Sequence, residues 1–138
     1  MLPNIDSNLL YVHYSFLNLC PLRDLFTALT LWRESTTLNI GAIGCKIRLG
    51  LNQSEVNDKV YLDVAKIASE CMLDYITVHA RHAAQRSSQP PIWTAIKEVK
   101  DMLATTNTKV IGNGSVFTLA DALALKSITN CDAVLIIC

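Results

Sequence analysis

The sequence predicts an α/β fold in which short parallel strands alternate with helices. Apolar runs of strand length alternate with segments whose apolar residues recur at helical spacing. The alternation repeats about every thirty residues, which is the size of one βα unit. The strand runs are apolar without a clean period of two, a pattern typical of a parallel sheet covered on both faces. Such a chain forms either a doubly wound sheet or a barrel.

The predicted elements follow one another in strict alternation. The helices are expected at Leu22–Glu34, Ser54–Cys71, Pro91–Met102 and Leu119–Lys126. The strands are expected within Leu38–Arg48 and at Tyr75–His79, Lys109–Ile111 and Ala133–Ile137. Pro91 suits the first turn of its helix. Thr118 and Asp121 have the spacing of a capping box, which predicts a helix start there.

The first residues of the chain fit this pattern poorly. Residues 1–21 match no βα unit and are predicted to be an irregular N-terminal segment, although Leu9–Val12 has the composition of a strand. A complete eight-stranded barrel takes about 250 residues, whereas this chain has 138 residues and four clear strands. We therefore expect residues 22–138 to form a partial (β/α)₈ TIM barrel, roughly the C-terminal half of the barrel.

Composition excludes several classes of protein. The chain is 51% hydrophobic and 17% charged, so it can bury a core and is not expected to be disordered. Its formal net charge of zero gives no overall basic footprint for nucleic acid. The five cysteines are scattered without close pairs, which indicates buried thiols in a reducing compartment and predicts no metal site. No signal peptide or spanning segment is evident, so we expect a cytoplasmic protein without a membrane partner.

Polar residues end two of the predicted strands. Lys46 and Arg48 share one face of their strand because side chains alternate along it. They either contact an anionic or electron-rich ligand or lie at a solvated strand end, and the pattern favours neither. His79 ends the next strand, where an imidazole can donate to a phosphate or to a flavin edge. The alternative is a hydrogen-bonded core histidine.

A glycine-rich turn follows the strand Lys109–Ile111. Glycines on either side of Asn113 let backbone N–H groups approach a ligand closely, and a helix begins a few residues later. Together these features predict a phosphate seat. Arg81 and Arg86 lie in the loop after His79, where they suit nucleic-acid phosphates or are merely solvated. Trp93 lies in a helical stretch and receives no functional role.

Five short motifs in this order and at this approximate spacing carry a family resemblance. They are Lys46-Ile47-Arg48-Leu49-Gly50, Ile76-Thr77-Val78-His79-Ala80-Arg81, Ala84-Gln85-Arg86, Trp93-Thr94-Ala95-Ile96 and Val110-Ile111-Gly112-Asn113-Gly114-Ser115-Val116. The set resembles the tRNA-dihydrouridine synthases over about residues 22–137.

The resemblance implies an FMN-dependent (β/α)₈ barrel followed by a small helical domain. Members of that family reduce uridine in tRNA to 5,6-dihydrouridine, and NADPH recharges the flavin. By matching position, Lys46 would contact the flavin N1/O2 region and His79 the ribityl-phosphate end. The phosphate cradle would comprise Asn113, Gly114 and Ser115. The candidates for contacting tRNA would be Arg48, Arg81 and Arg86.

The chain also departs from the family pattern. The family's catalytic cysteine lies in an Asn-x-Gly-Cys-Pro motif, but in Asn18-Leu19-Cys20-Pro21 leucine replaces the glycine and Cys20 is too close to Lys46. We interpret Cys20 as a chance match, so the catalytic proton donor is unknown and the chain alone is expected to be inactive. Ser115 stands where the family often has Asp, and Ala80 where glycine is common.

Two other functions remain open at this point. One is a different FMN barrel resembling dihydroorotate dehydrogenase, against which the Val-His-Ala-Arg and Ala-Gln-Arg pair argues. The other is a non-catalytic half-barrel that binds a phosphate ligand or a partner protein. An open half-barrel exposes sheet edges and an apolar flank, so we expect self-association or poor solubility.

Overall fold

The computed structural model describes residues 9–13, 19–38 and 40–136, with the backbone alone for residues 9–13, 19 and 20. The strands are β1 (Leu9–His13), β2 (Ala42–Arg48), β3 (Tyr75–His79), β4 (Lys109–Asn113) and β5 (Ala133–Val134). The helices are α1 (Leu19–Ser35), α2 (Gln53–Asn57), α3 (Val60–Glu70), α4 (Trp93–Met102) and α5 (Leu119–Thr129).

The strands form one parallel sheet in the order β1-β2-β3-β4-β5. Each strand therefore pairs with its predecessor in the chain. A doubly wound sheet reverses its strand order at a switch point, and no reversal occurs among the described strands. The topology confirms the predicted α/β class and is compatible with part of a barrel wall.

The longer helices form one layer. Contacts run from α1 to α3, from α3 to α4 and from α4 to α5, so neighbours in the chain are neighbours in space. We expected cover on both faces of the sheet. Crossovers of one hand between sequential strands instead place the helices on the same side. Between sheet and helices lies a continuous apolar core, whose largest fully buried side chains include Phe26, Leu22, Ile76, Ile96 and Leu125.

The predicted helix Ser54–Cys71 is wrong in its continuity. Helix α2 ends at Asn57 and α3 begins at Val60, and Lys59 between them has a left-handed backbone with φ of 56°. The N–H of Asp58 still donates to the carbonyl of Ser54 at 2.9 Å, which closes the first helix. Apolar spacing continues across the break, so periodicity alone did not reveal it.

The predicted ends of α4 and β4 also shift. Helix α4 begins at Trp93, because Ile92 has a non-helical backbone with φ of −95° and ψ of 74°. The N–H of Ile92 donates to the carbonyl of Ala80 at 2.8 Å, and Pro91, predicted to lie in the first turn, precedes the helix. Strand β4 continues through Gly112 and Asn113, which we assigned to a turn. Glycine is needed at this strand position, because a Cβ on residue 112 would meet the Leu125 side chain of α5.

The chain-terminal elements agree in part with prediction. The prediction that residues 1–21 are irregular is wrong in part, because Leu9–His13 forms β1 and α1 begins at Leu19, three residues before the predicted start at Leu22. Helix α5 begins at the predicted capping box, with Thr118 accepting from the Asp121 N–H, and ends one turn later than predicted, at Thr129. Strand β5 covers only the first two residues of the predicted Ala133–Ile137, whose last residue lies outside the described residues.

Within the described ranges, no helix combines the length and the hydrophobicity that a bilayer-spanning segment needs.

We predict that Ile76→Ala lowers the free energy of unfolding by about 2–5 kcal/mol, because deletion of a buried side chain leaves a cavity. Ile76 lies in the central strand and is fully buried. The matched control is Ile128→Ala in α5, where the side chain is 48% exposed and its loss should cost less than about 1 kcal/mol. Urea unfolding curves measure both. Equal losses in the two variants would contradict the assigned core.

Candidate anion-binding site

A row of polar residues crosses three adjacent strands near their carboxyl ends. In the sheet register Arg48 pairs with His79, and His79 pairs with Asn113. Neighbouring strands lie about 4.8 Å apart, so the row spans about 10 Å. Lys46 lies one pleat earlier, on the same face as Arg48, because residues two apart share a face. We call this set, Lys46, Arg48, His79 and Asn113, the polar face.

The alternation of burial along β2 shows why these side chains avoid the helix layer. Cys45 and Ile47 are fully buried in the core shared with the helices, whereas Lys46 and Arg48 are half-buried. Burial raises the pKa of the Cys45 thiol to about 12, so this cysteine is an inert core residue. The predicted sharing of one face by Lys46 and Arg48 is confirmed.

The charged side chains of the polar face, Lys46 and Arg48, are both positive. Burial, followed by the positive charges of Arg48, Lys46 and Arg81, lowers the pKa of His79 to about 4, so its imidazole is neutral at pH 7. Burial and then Arg48 also lower the pKa of Lys46. Among the described residues, no ion pair includes Lys46, Arg48 or Arg81. Neighbouring cations without carboxylates favour an anionic ligand.

Asn113 has a side-chain amide without a hydrogen-bond partner among the described residues. Its side chain is 1% exposed, and neither Oδ1 nor Nδ2 has a hydrogen-bond partner among the described residues. Buried polar atoms are nearly always paired in folded proteins, so this amide calls for a partner. Its backbone is already engaged, since the Asn113 carbonyl accepts from the Ala80 N–H at 2.9 Å.

The turn after Asn113 has an unusual backbone. Gly114 has φ of 133° and Ser115 has φ of 55°. A Cβ on Gly114 would touch Ala80 and Pro91 at 3.4 Å, and an L side chain rarely adopts this φ, so the position requires glycine. Within the part of the chain that the structure describes, the N–H groups of Gly114 and Ser115 donate to no acceptor. Two such adjacent donors suit an anion.

Two side chains hold this turn from outside. The Trp93 indole Nε1 donates to the Gly114 carbonyl at 3.0 Å. Arg81 Nη2 donates to the Ser115 hydroxyl at 2.7 Å. Neither role could be predicted from the sequence, because these partners lie far apart in the chain and no spacing rule connects them.

The loops at this end of the sheet are joined by backbone hydrogen bonds. The N–H of Leu49 donates to the Arg81 carbonyl at 3.1 Å, and the N–H of Ala83 donates to the Gly50 carbonyl at 2.8 Å. Arg48 Nη1 makes a longer bond of 3.4 Å to the His82 carbonyl. The turns that follow β2, β3 and β4 therefore form one connected rim around the polar face.

The other residues considered for the site differ in their exposure and position. Arg81 is 6% exposed, and its guanidinium donates to loop carbonyls as well as to Ser115. Arg86 is exposed on the loop after β3. Cys20 is the second residue of α1, but its side chain lies outside the described residues. Within the described ranges, no three His, Cys, Asp or Glu residues cluster as a metal site would need.

Comparison with known proteins settles the family. The family model for dihydrouridine synthases matches residues 42–137, which is more than half of the chain and includes the whole polar face. The chain belongs to the dihydrouridine synthase family. The resemblance found in the sequence is thereby confirmed, and tRNA-dihydrouridine formation is the activity named for the relatives.

Individual relatives agree. A probable tRNA-dihydrouridine synthase of Mycobacterium leprae is 35% identical over 91 residues, which are 66% of this chain and 22% of that protein. The tRNA-dihydrouridine(16) synthase of Neisseria meningitidis serogroup B is 36% identical over 44% of this chain and 17% of its own length. The tRNA-dihydrouridine(20a/20b) synthase [NAD(P)+] of Saccharomyces cerevisiae is 36% identical over 46% of this chain and 17% of its own. The matched part thus spans about a fifth of these relatives.

We predict that lowering the pH from 6.5 to about 4 destabilises the fold through His79, whose pKa is about 4 when folded against 6.5 when unfolded. In this window the unfolded imidazole binds a proton and the folded one does not, so stability falls with pH and levels off below about 4. Chemical unfolding at several pH values should show a shallower loss for His79→Gln. An imidazole resonance that titrates near 6.5 in the folded chain would contradict this prediction.

Proposed function

We propose that the chain forms the flavin-binding part of a tRNA-dihydrouridine synthase, with residues 22–138 as a partial FMN-binding TIM-barrel domain. The observation that carries the proposal is the buried Asn113 amide without a partner, beside a turn with free N–H donors and three cations without carboxylates. This donor set fits a molecule that combines a phosphate with a polar, electron-rich ring. FMN has both parts.

The residues divide between the two ends of FMN. The N–H groups of Gly114 and Ser115 would hold the phosphate, as backbone nests hold anions elsewhere. Asn113 would complete its hydrogen bonds against the same end of the cofactor. His79, neutral at pH 7, would donate one hydrogen bond toward the ribityl-phosphate rather than add a charge.

Lys46 would lie against the flavin N1/O2 edge. Its position one pleat before the row of Arg48, His79 and Asn113 separates it from the phosphate turn, as the length of the cofactor requires. A positive charge at that edge favours the reduced, anionic form of the ring over the oxidised one. Bound FMN would supply the hydride for the uridine C5–C6 double bond, with NADPH as its reductant.

The proposed macromolecular partner is tRNA. Arg48, on the polar face, and Arg86, exposed on the loop after β3, would meet RNA phosphates, whereas Arg81 is buried. We assign no residue of this chain as the proton donor to uridine, so we propose that the isolated chain binds flavin without completing the reaction. The proposed compartment is the cytoplasm, where a reducing environment suits the free, buried thiols of Cys45, Cys71 and Cys131.

We predict that the purified chain binds FMN and that Lys46→Ala and Asn113→Ala each raise the FMN dissociation constant about tenfold or more, which is about 1.4 kcal/mol or more. The first change removes the charge at the ring, and the second removes the buried amide. Quenching of flavin fluorescence measures the constant.

The matched controls for this titration are Lys109→Ala and Asn107→Ala. Lys109 is exposed at the opposite end of β4, and Asn107 is exposed in the loop before that strand. Neither change should alter FMN binding. No binding by the wild-type chain at any accessible FMN concentration would overturn the proposed function. A non-catalytic module that binds a partner protein would then be favoured, because Phe117, Leu119 and Leu123 expose 66%, 70% and 62% of their surface.

We predict that Arg86→Ala weakens tRNA binding about three- to tenfold near 0.1 M salt and lowers the salt slope by about 1, because one phosphate contact is lost. The control is Lys66→Ala on α3, an exposed cation in the helix layer. Gel-shift titrations over a range of salt concentrations measure both quantities. An equal effect of the two substitutions would assign the binding to bulk charge rather than to the rim.

A further inference from the structure

Arg81 bridges the loop after β3 and the turn after β4. Its Nε donates to the Gln89 carbonyl at 3.1 Å, and its Nη2 donates to the carbonyls of Ser87 at 3.0 Å and Gln89 at 2.7 Å. The same Nη2 donates to the Ser115 hydroxyl at 2.7 Å. One guanidinium therefore fixes both a loop conformation and a residue of the turn.

The environment of Arg81 separates it from the exposed arginine of the same loop. Its side chain is 6% exposed, and it forms no ion pair with a carboxylate among the described residues. A buried cation that is met only by neutral acceptors is costly unless a further negative charge lies close by. Such a residue is poorly placed to touch RNA directly and well placed to act on its neighbours.

Ser115 is the neighbour on which Arg81 acts most directly. Ser115 occupies the left-handed region with φ of 55°, where a residue other than glycine needs support from its surroundings. The bond from Arg81 supplies support through the Ser115 hydroxyl, while Trp93 holds the Gly114 carbonyl. The Trp93 bond fixes the peptide group that carries the free Ser115 N–H, and the Arg81 bond holds the Ser115 side chain beside it.

We propose that Arg81 is a positioning residue which, through Ser115, holds the Gly114–Ser115 turn in its phosphate-binding shape. The chain thereby distinguishes a phosphorylated flavin from an unphosphorylated one. The inference rests on the proposed function and extends it, since it names the residue pair that sets specificity for the phosphate end of the ligand. Lys46, at the other end of the polar face, has no part in this discrimination.

The test compares FMN with riboflavin, which has the same ring and ribityl chain but no phosphate. Dissociation constants for both are measured by fluorescence quenching with the full chain. The variants are Arg81→Lys, which keeps the charge but loses the planar fork, Ser115→Ala, and the two changes combined. Ser127→Ala, an exposed serine of α5, is the matched control.

We expect Arg81→Lys to raise the FMN constant about tenfold and Ser115→Ala about threefold or more, while both leave the riboflavin constant within about twofold. The combined variant should be no weaker than Arg81→Lys, because the two changes interrupt one interaction. A general loss of structure would raise the dissociation constants of FMN and riboflavin alike. If Arg81→Lys fails to fold, Ser115→Ala decides the question, because it leaves Arg81 and its carbonyl partners in place.

Failure of this inference differs from failure of the proposed function. A wild-type chain that prefers FMN, is weakened by Lys46→Ala and is unchanged by Ser115→Ala keeps the function and overturns the role of Arg81. Equal losses for FMN and riboflavin also overturn that role. A wild-type chain that binds neither flavin overturns both proposals.

Discussion

The geometry of the site depends on the backbone of Ala80. Its N–H donates to the Asn113 carbonyl and its carbonyl accepts from the Ile92 N–H, so one buried residue joins the end of β4 to the start of α4. Its Cβ would lie 3.4 Å from a Cβ added at Gly114, which is ordinary van der Waals contact. Any shift of Ala80 would therefore move the row of polar residues, the turn and the entry to α4 together.

The fold could be predicted from the sequence wherever burial alone decides the local structure. Strand Tyr75–His79 is found at its predicted bounds. The single helix Ser54–Cys71 was wrong because the left-handed Lys59 interrupts the backbone without interrupting the apolar stripe. The predicted strand β4 was too short, because glycine at position 112 was assigned to a turn. In the structure, the absence of a Cβ at Gly112 leaves space for the Leu125 side chain of α5. That contact exists only in the tertiary structure.

The site, like the fold, could be predicted from the sequence only in part. Parallel pairing brings Arg48, His79 and Asn113 into one row, and this could be predicted because parallel strands end at a common edge of the sheet. The contacts of Arg81 and Trp93 with the turn could not be predicted, since they cross between loops through side-chain rotamers that no periodicity encodes. Chain-local chemistry predicts which groups would bind a ligand. The tertiary structure was needed to show which groups hold them in place.

The unpaired cations of the polar face connect ligand affinity to the stability of the free chain. Arg48 repels both Lys46 and Arg81, and this repulsion opposes folding as long as no anion lies close by. Substitutions that remove the charge of Lys46 or Arg48 therefore tend to stabilise the empty chain and to weaken ligand binding, whereas Arg81 also holds two loops through its hydrogen bonds. Selection for thermal stability and selection for binding would act in opposite directions at these positions. A ligand that relieves the repulsion would act as a folding cofactor as well as a chemical one.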